Sequence, residues 1–252
     1  MACMSTTVLE WSEGTDGQPP VIASAAWKGG DGKSTIAREM AYQLDAVLVD
    51  LDWDLGCSSR SMGYRYERFV RYPLQDAFLK GTTPRPVKGR RMADLVPSYP
   101  GLVDEQPDRD TVTDALLSWA RELGRPLVVD THPGGCELTY GALNAAKVIV
   151  VPAVLTKESL NALEGMVDEL TNHPLLITPN KVAAPPKWAR DRLRKIAGSH
   201  GGFPLGPLVH EEVWLHKRKI NVAVSSEPVP KRAHRFVRSM DALVGEVINY
   251  GS

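Results

Sequence analysis

Eight consecutive residues, Lys28-Gly29-Gly30-Asp31-Gly32-Lys33-Ser34-Thr35, combine three glycines, two lysines and two hydroxyls. Phosphate oxygens must come close to backbone N–H groups, which only residues with little or no side chain allow. In such a loop the glycines cradle a polyphosphate. Lys33 places a point charge on its β- and γ-phosphates, and Ser34 offers a hydroxyl to Mg²⁺. Carboxylates are the other half of this chemistry. Asp50, Asp52 and Asp54 alternate along VLVDLDWDLG, so an extended chain would carry all three on one side. Like charges so placed are costly unless a cation or waters share them. Asp130 closes the apolar run PLVVD, a pattern that holds Mg²⁺ through water. The segment after it, Thr131-His132-Pro133-Gly134-Gly135, contains a histidine read as structural or switch-related rather than as a general base. Asp54 is read as a solvated loop residue.

Elements must exist to hold these groups. Val21–Ala26 is a compact apolar run leading into the glycine loop, and 34–44 carries Ile36, Ala37, Met40, Ala41 and Leu44 at helical spacing. Strands are expected at 46–51, 126–130, 147–151 and 175–178, with helices over 110–123 and 157–170. Continuous Val/Ile/Leu runs suit strands covered on both faces. Their alternation with helices predicts an α/β fold, a doubly wound, mostly parallel sheet flanked by helices. Residues 84–101 and 183–186 read as loops. Residues 1–19 read as a polar leader, and 20–252 as one domain.

Composition narrows the class. The chain has 252 residues with 43% apolar and 24% charged residues, as in a globular protein with a full core. Lys plus Arg and Asp plus Glu both number 30, so a chain-wide polybasic binder is excluded. Residues 181–252, however, hold 13 Lys/Arg against 6 Asp/Glu, a local net charge of +7 that leaves −7 on the rest. Three scattered cysteines show neither disulfide-framework nor metal-ligand spacing, which favours a reducing cytoplasm.

The loop K-G-G-x-G-K-S/T, with Lys28 as its first residue, resembles that of the ParA/MinD family of deviant Walker A P-loop ATPases, and similar stretches run over about residues 20–248. The resemblance implies a Mg²⁺-dependent ATP hydrolase working as an ATP-dependent homodimer, with Lys28 reaching the partner's nucleotide. It implies that Asp52 positions the attacking water, that Asp50 serves the Mg²⁺ water shell beside Ser34 and Asp130, and that Asn180 meets the adenine. The late loop AVSSEPVP, including Pro228, would close over the base. Two positions depart from the family pattern: Trp53 and His132 both stand where relatives often have proline. PLQDAFLKG and ADLVPS resemble the family's early helix and the strand before its variable helix.

A short ParA-type partitioning ATPase would also bind DNA non-specifically and answer to a ParB-type centromere-binding partner. Lys217, Arg218, Lys219, Lys231, Arg232, Arg235 and Arg238 are the candidate phosphate contacts, with Lys231, Arg235 and Arg238 at i, i+4, i+7 on one face of the last helix. Nucleoid association and plasmid or chromosome segregation would follow. The sequence ends GEVINYGS, without a basic amphipathic extension, so membrane attachment is not expected. Two other readings share the motifs: a positioning ATPase with a protein cargo, and a metabolic P-loop ligase of the same fold. A cluster-holding electron-transfer relative is disfavoured by the context of Cys57 and Cys136.

Overall fold

The computed structural model describes residues 11, 17–54, 57–68, 73–218 and 221–250. Six strands form one sheet: β1 (Val21–Ser24), β2 (Val47–Asp50), β3 (Asp94–Val96), β4 (Leu127–Asp130), β5 (Val148–Ala153) and β6 (Leu175–Pro179). Their order is β3-β2-β4-β1-β5-β6, and every pairing between them is parallel. Nine helices are described: α1 (Lys33–Gln43), α2 (Ser58–Ser61), α3 (Pro73–Lys80), α4 (Arg109–Leu123), α5 (Glu137–Ala145), α6 (Lys157–Glu169), α7 (Lys187–Ala197), α8 (Val213–His216) and α9 (His234–Tyr250).

Alternation along each strand feeds two faces. Ile22, Leu48, Val128 and Val150 pack against α1 and α9 through Ile36, Met40, Phe236 and Met240. Ala23, Ile149 and Ile177 meet α6 and α7, while Val47, Val49 and Val129 meet α4 and α5. Both faces are therefore covered, which is why the strands read as unbroken apolar runs. Trp11, inside the segment read as a leader, is buried in the α1/α9 layer. The doubly wound expectation holds, and the predicted strands and helices are present with ends moved by at most about two residues.

Residues 84–101, read as loop, hold the edge strand β3 and begin a 3₁₀ turn at Pro100–Val103. Its three residues are too few for periodicity to reveal, and only the resemblance suggested a strand there. Helix α7 was missed because it is strongly polar: only Ala189, Leu193, Ile196 and Ala197 are buried.

Parallel pairing fixes the site. The register sets Ser24 opposite Asp130 and Asp130 opposite Asp50. The carboxyl ends of β1, β4 and β2 thus bring the glycine loop and two carboxylates to one edge, where open α/β sheets bind ligands.

Candidate active site

Residues 27–32 turn from β1 into α1. Gly32 occupies the N-cap at φ 98°, a left-handed conformation, and supplies no side-chain cap. Helices α4 and α6 are capped by the side chains of Asp108 and Thr156. The first-turn N–H groups of α1 are thus left for another acceptor, the arrangement that seats an anion. A Cβ at Gly32 would lie 2.2 Å from Asn180 Nδ2, so the loop's close packing requires glycine there.

Three contacts hold the loop from the far side of the sheet. Asn180 Nδ2 donates to the Asp31 carbonyl at 2.7 Å, and Lys181 Nζ donates to the Gly30 carbonyl at 2.6 Å. Ser159 Oγ, in the first turn of α6, donates to Asp31 Oδ2 at 2.6 Å. Burial raises the Asp31 pKa, with that hydrogen bond and Lys28, Lys33 and Lys181 opposing the rise. Asn180 therefore braces the loop through its amide nitrogen. Lys181, beside it at φ 54°, escaped the sequence reading because nothing in its spacing ties it to a loop about 150 residues earlier. Pro228 is exposed, whereas Glu39 of α1 fixes the same late segment by accepting from Val224 N at 2.6 Å and Ser225 Oγ at 2.9 Å.

Lys33 and Asp31 are buried, Lys28, Ser34 and Thr35 are half-buried, and Gly29 and Gly30 are exposed at the loop's crest. Arg38, one turn into α1, donates from Nε to the Ser34 carbonyl at 2.9 Å and from Nη2 to Thr35 Oγ1 at 3.3 Å.

Asp50 and Asp130 are both fully buried. Asp50 Oδ2 accepts from Ser59 N and Ser59 Oγ, each at 2.5 Å. Asp130 Oδ2 accepts from Ser58 Oγ at 2.7 Å. Both donors come from α2, a four-residue helix that the sequence reading did not find. Asp130 Oδ1 is buried and has no hydrogen-bond partner among the described residues. Burial drives the Asp50 carboxyl up to about 8, with the neighbouring Asp130 charge adding to it, and burial raises Asp130 also. Two coupled carboxylates, one with an orphaned oxygen, beside Lys33 and the Ser34 hydroxyl, fit a divalent cation.

Asp52 and Asp54 leave the straight extension expected of them. Asp50 Oδ1 accepts from Asp52 N and Asp52 Oδ1 accepts from Asp54 N, both at 3.1 Å, so the chain curls by side-chain-capped turns. Asp52 is buried, while the Asp54 side chain is 62% exposed. His132 Nδ1 lies 3.1 Å from Asp52 Oδ1 and 4.0 Å from Asp54 Oδ2. Its ring stacks on Trp53 at 3.8 Å with a 12° interplanar angle. The two departures from the family's proline pattern thus face each other and join the segments after β2 and β4. Ligand atoms of Asp52, Asp54 and His132 lie within 4.8 Å of one another, a spacing that could hold a cation.

The basic candidates separate. Arg218 turns inward, its Nη1 donating to the Val222 carbonyl at 2.7 Å and its Nη2 to that of Ala223 at 3.4 Å. Lys231 and Arg232 lie in a 3₁₀ turn before α9, so the expected three-residue face on one helix is interrupted. Arg232 sits over the Trp214 ring at 5.1 Å, and Arg235 Nε donates to Glu212 Oε1 at 2.7 Å. Lys217, Lys231 and Arg238 are exposed and make no ion pair with the described residues. Lys219 lies outside the described residues. Helix α7 adds exposed Lys187, Arg190 and Lys195, and a half-exposed Trp188, to this end of the chain.

No family model matches the chain. The chromosome-partitioning ATPase Soj of Thermus thermophilus is 36% identical over 155 residues, 59% of this chain and 60% of that protein. A McdA variant of Cyanothece, solved as its ATP complex, superposes with a TM-score of 0.70 at 16% identity, over 89% of this chain and 96% of that one. Over those 155 residues the chain is similar in sequence to Soj, and it shares the fold of the solved McdA and partition proteins. A plasmid partition protein of Borrelia burgdorferi shares that fold, with a TM-score of 0.63 at 15% identity over 92% and 99% of the two chains. The match to Soj spans about three-fifths of that protein's length. Among the described residues no helix is long and apolar enough to cross a membrane.

Proposed function

We propose that the chain is a Mg²⁺-dependent ATPase of the partitioning type. The observation that carries this reading is the convergence of an uncapped α1 N-terminus behind three glycines with a buried carboxylate pair whose Asp130 Oδ1 has no partner among the described residues. Lys33 and the loop N–H groups bind and orient the phosphates. Ser34, Asp130 and, one shell out, Asp50 hold the cation, which when bound supplies charge neutralisation at the transferring phosphoryl group. Asp52, oriented by His132, positions the attacking water. Lys28 completes the site of a second subunit, so ATP drives formation of a homodimer. Asn180 and the Pro228 segment flank the base.

The basic surface of Lys217, Lys231, Arg232, Arg235 and Arg238 meets DNA phosphates without reading bases. The carried-over partner is a ParB-type centromere-binding protein, and the setting is the nucleoid in the cytoplasm. A protein cargo is the second reading, favoured by the partial internal pairing of the arginines. The deciding experiment is ATP-dependent retention on random-sequence DNA, together with Mg²⁺-dependent release of phosphate. Turnover with DNA retention supports partitioning, turnover without it supports a protein cargo, and no turnover refutes the ATPase reading.

A further inference from the structure

Beside α1, on the side that faces α2, lies a cavity of about 310 Å³ walled by α2, residues 92–93, residues 215, 218 and 221–224, and Thr35 at the end of the glycine loop. We propose that this cavity binds a small phosphorylated organic molecule of about mononucleotide size.

The charge in its wall is unbalanced. Arg38, Arg60 and Arg218 line it, against one carboxylate, Glu39. That carboxylate is already engaged by Val224 N, Ser225 N and Ser225 Oγ. Arg60 pairs with Glu67. Among the described residues, however, the hydrogen bonds of Arg38 and Arg218 all go to neutral acceptors: the Ser34, Val222 and Ala223 carbonyls and the Thr35 hydroxyl. Both side chains are half-buried. Arg38 feels the charges of Asp130, Glu39 and Asp50, but among the described residues neither guanidinium is hydrogen-bonded to a carboxylate; such partly desolvated groups attract an anion, and phosphate suits their forked geometry. Burial holds Arg218 below its ordinary value against the pull of Glu39, and Arg38, Arg232 and Arg91 push it further down. An anion in the cavity would relieve that repulsion.

The rest of the wall mixes the polar Thr35, Ser61 and Asn221 with an apolar patch. Met62, Met92 and Leu215 face the same space, so a ligand with only a phosphate group would leave them without a partner. A phosphate joined to a flat organic body satisfies both walls, and the volume admits about one mononucleotide.

The position has a consequence for the nucleotide site. The short helix α2 and its C-cap give Arg60, Ser61 and Met62 to the cavity, while Ser58 and Ser59 of that same turn hold Asp130 and Asp50. A ligand bound against α2 therefore biases the element that fixes both carboxylates, and nucleotide must in turn change the ligand's affinity.

The test uses the full chain loaded with Mg²⁺ and AMPPNP, so that the glycine loop is closed to the probe. AMPPNP binding is scored first and by itself. Adenosine 3′,5′-bisphosphate and inorganic phosphate are then titrated separately by calorimetry. One equivalent of bisphosphate per chain is expected, bound at least about tenfold more tightly than phosphate. Arg218→Gln should weaken it by about tenfold. Asn221→Asp, at an exposed lining position, adds a negative charge without removing a side-chain hydrogen bond to the described residues, and should weaken it similarly. The titration is repeated on Lys33→Ala, where the same equivalent should persist even if AMPPNP no longer binds. No second equivalent in either protein, affinity unchanged by Asn221→Asp, or phosphate binding as tightly as the bisphosphate would each overturn the proposal.

Discussion

Lys33 is 5% exposed, with its charge set among Asp31 and Asp130, so it faces inward to the loop. Lys33→Ala should cost at least about 100-fold in ATP affinity by calorimetry, with far-UV circular dichroism unchanged. Wild-type affinity would refute its role at the phosphates. Asp52→Ala removes a group that the structure shows bonded to Asp54 N and His132 Nδ1. It should bind ATP normally while single-turnover hydrolysis falls roughly 10²–10⁴-fold. Equal loss of binding and turnover would show that Asp52 shapes the loop instead. Trp53 and His132 also belong to this scale. Each looked like an isolated departure from a proline position, and their stacking explains why both can stand.

At the scale of elements, α2 carries the consequence. Its Ser58 and Ser59 hold two carboxylates that burial keeps from ionising easily. The sign follows from linkage. Asp50 has a folded pKa of about 8, above the ordinary carboxylate value, so its ionisation opposes folding. In the cation-free protein this group contributes most to stability below its unfolded pKa, and the contribution declines as pH rises from about 4 towards 8. Urea midpoints measured from pH 5 to 9 in chelator should fall, with a slope of at most about 1.4 kcal/mol per pH unit for one proton. Asp50→Asn should flatten that slope, and saturating Mg²⁺ with nucleotide should reverse part of it. A pH-independent midpoint would mean that Asp50 is ionised without cost. Gly32 joins the loop to α1, and Gly32→Ala meets both a positive φ and the Asn180 amide. A loss of roughly 1–3 kcal/mol in urea unfolding is expected.

Assembly and DNA belong to the whole molecule. One chain presents few phosphate contacts, so binding at physiological salt should depend on doubling them across a two-fold axis. Because Arg235 already pairs with Glu212, the informative change is Lys231→Glu with Arg238→Glu, two exposed cations without ion pairs among the described residues. The double variant should lose retention on random-sequence DNA and keep ATP-dependent dimerisation by light scattering. Lys28→Ala should show the reverse order of loss: ATP still binds, while the dimer and, through it, the steep salt dependence of DNA binding disappear. DNA retention unchanged in the Lys231/Arg238 variant would move the assignment to a protein cargo.

The sequence by itself determined the glycine loop, the α/β alternation and the candidate carboxylates Asp50, Asp52 and Asp130, because each is a local pattern: residue type, spacing and period within a few positions. Tertiary structure decided what no local pattern encodes. It placed Lys181 and Asn180 on the loop from β6, turned Arg218 inward, stacked His132 on Trp53 and hung both buried carboxylates on a four-residue helix. These contacts join residues up to about 150 positions apart, and the parallel pairing of β2, β4, β1, β5 and β6 is what brings the strand ends together. A strand carries the information that it is buried on both faces, but not which strand will lie beside it.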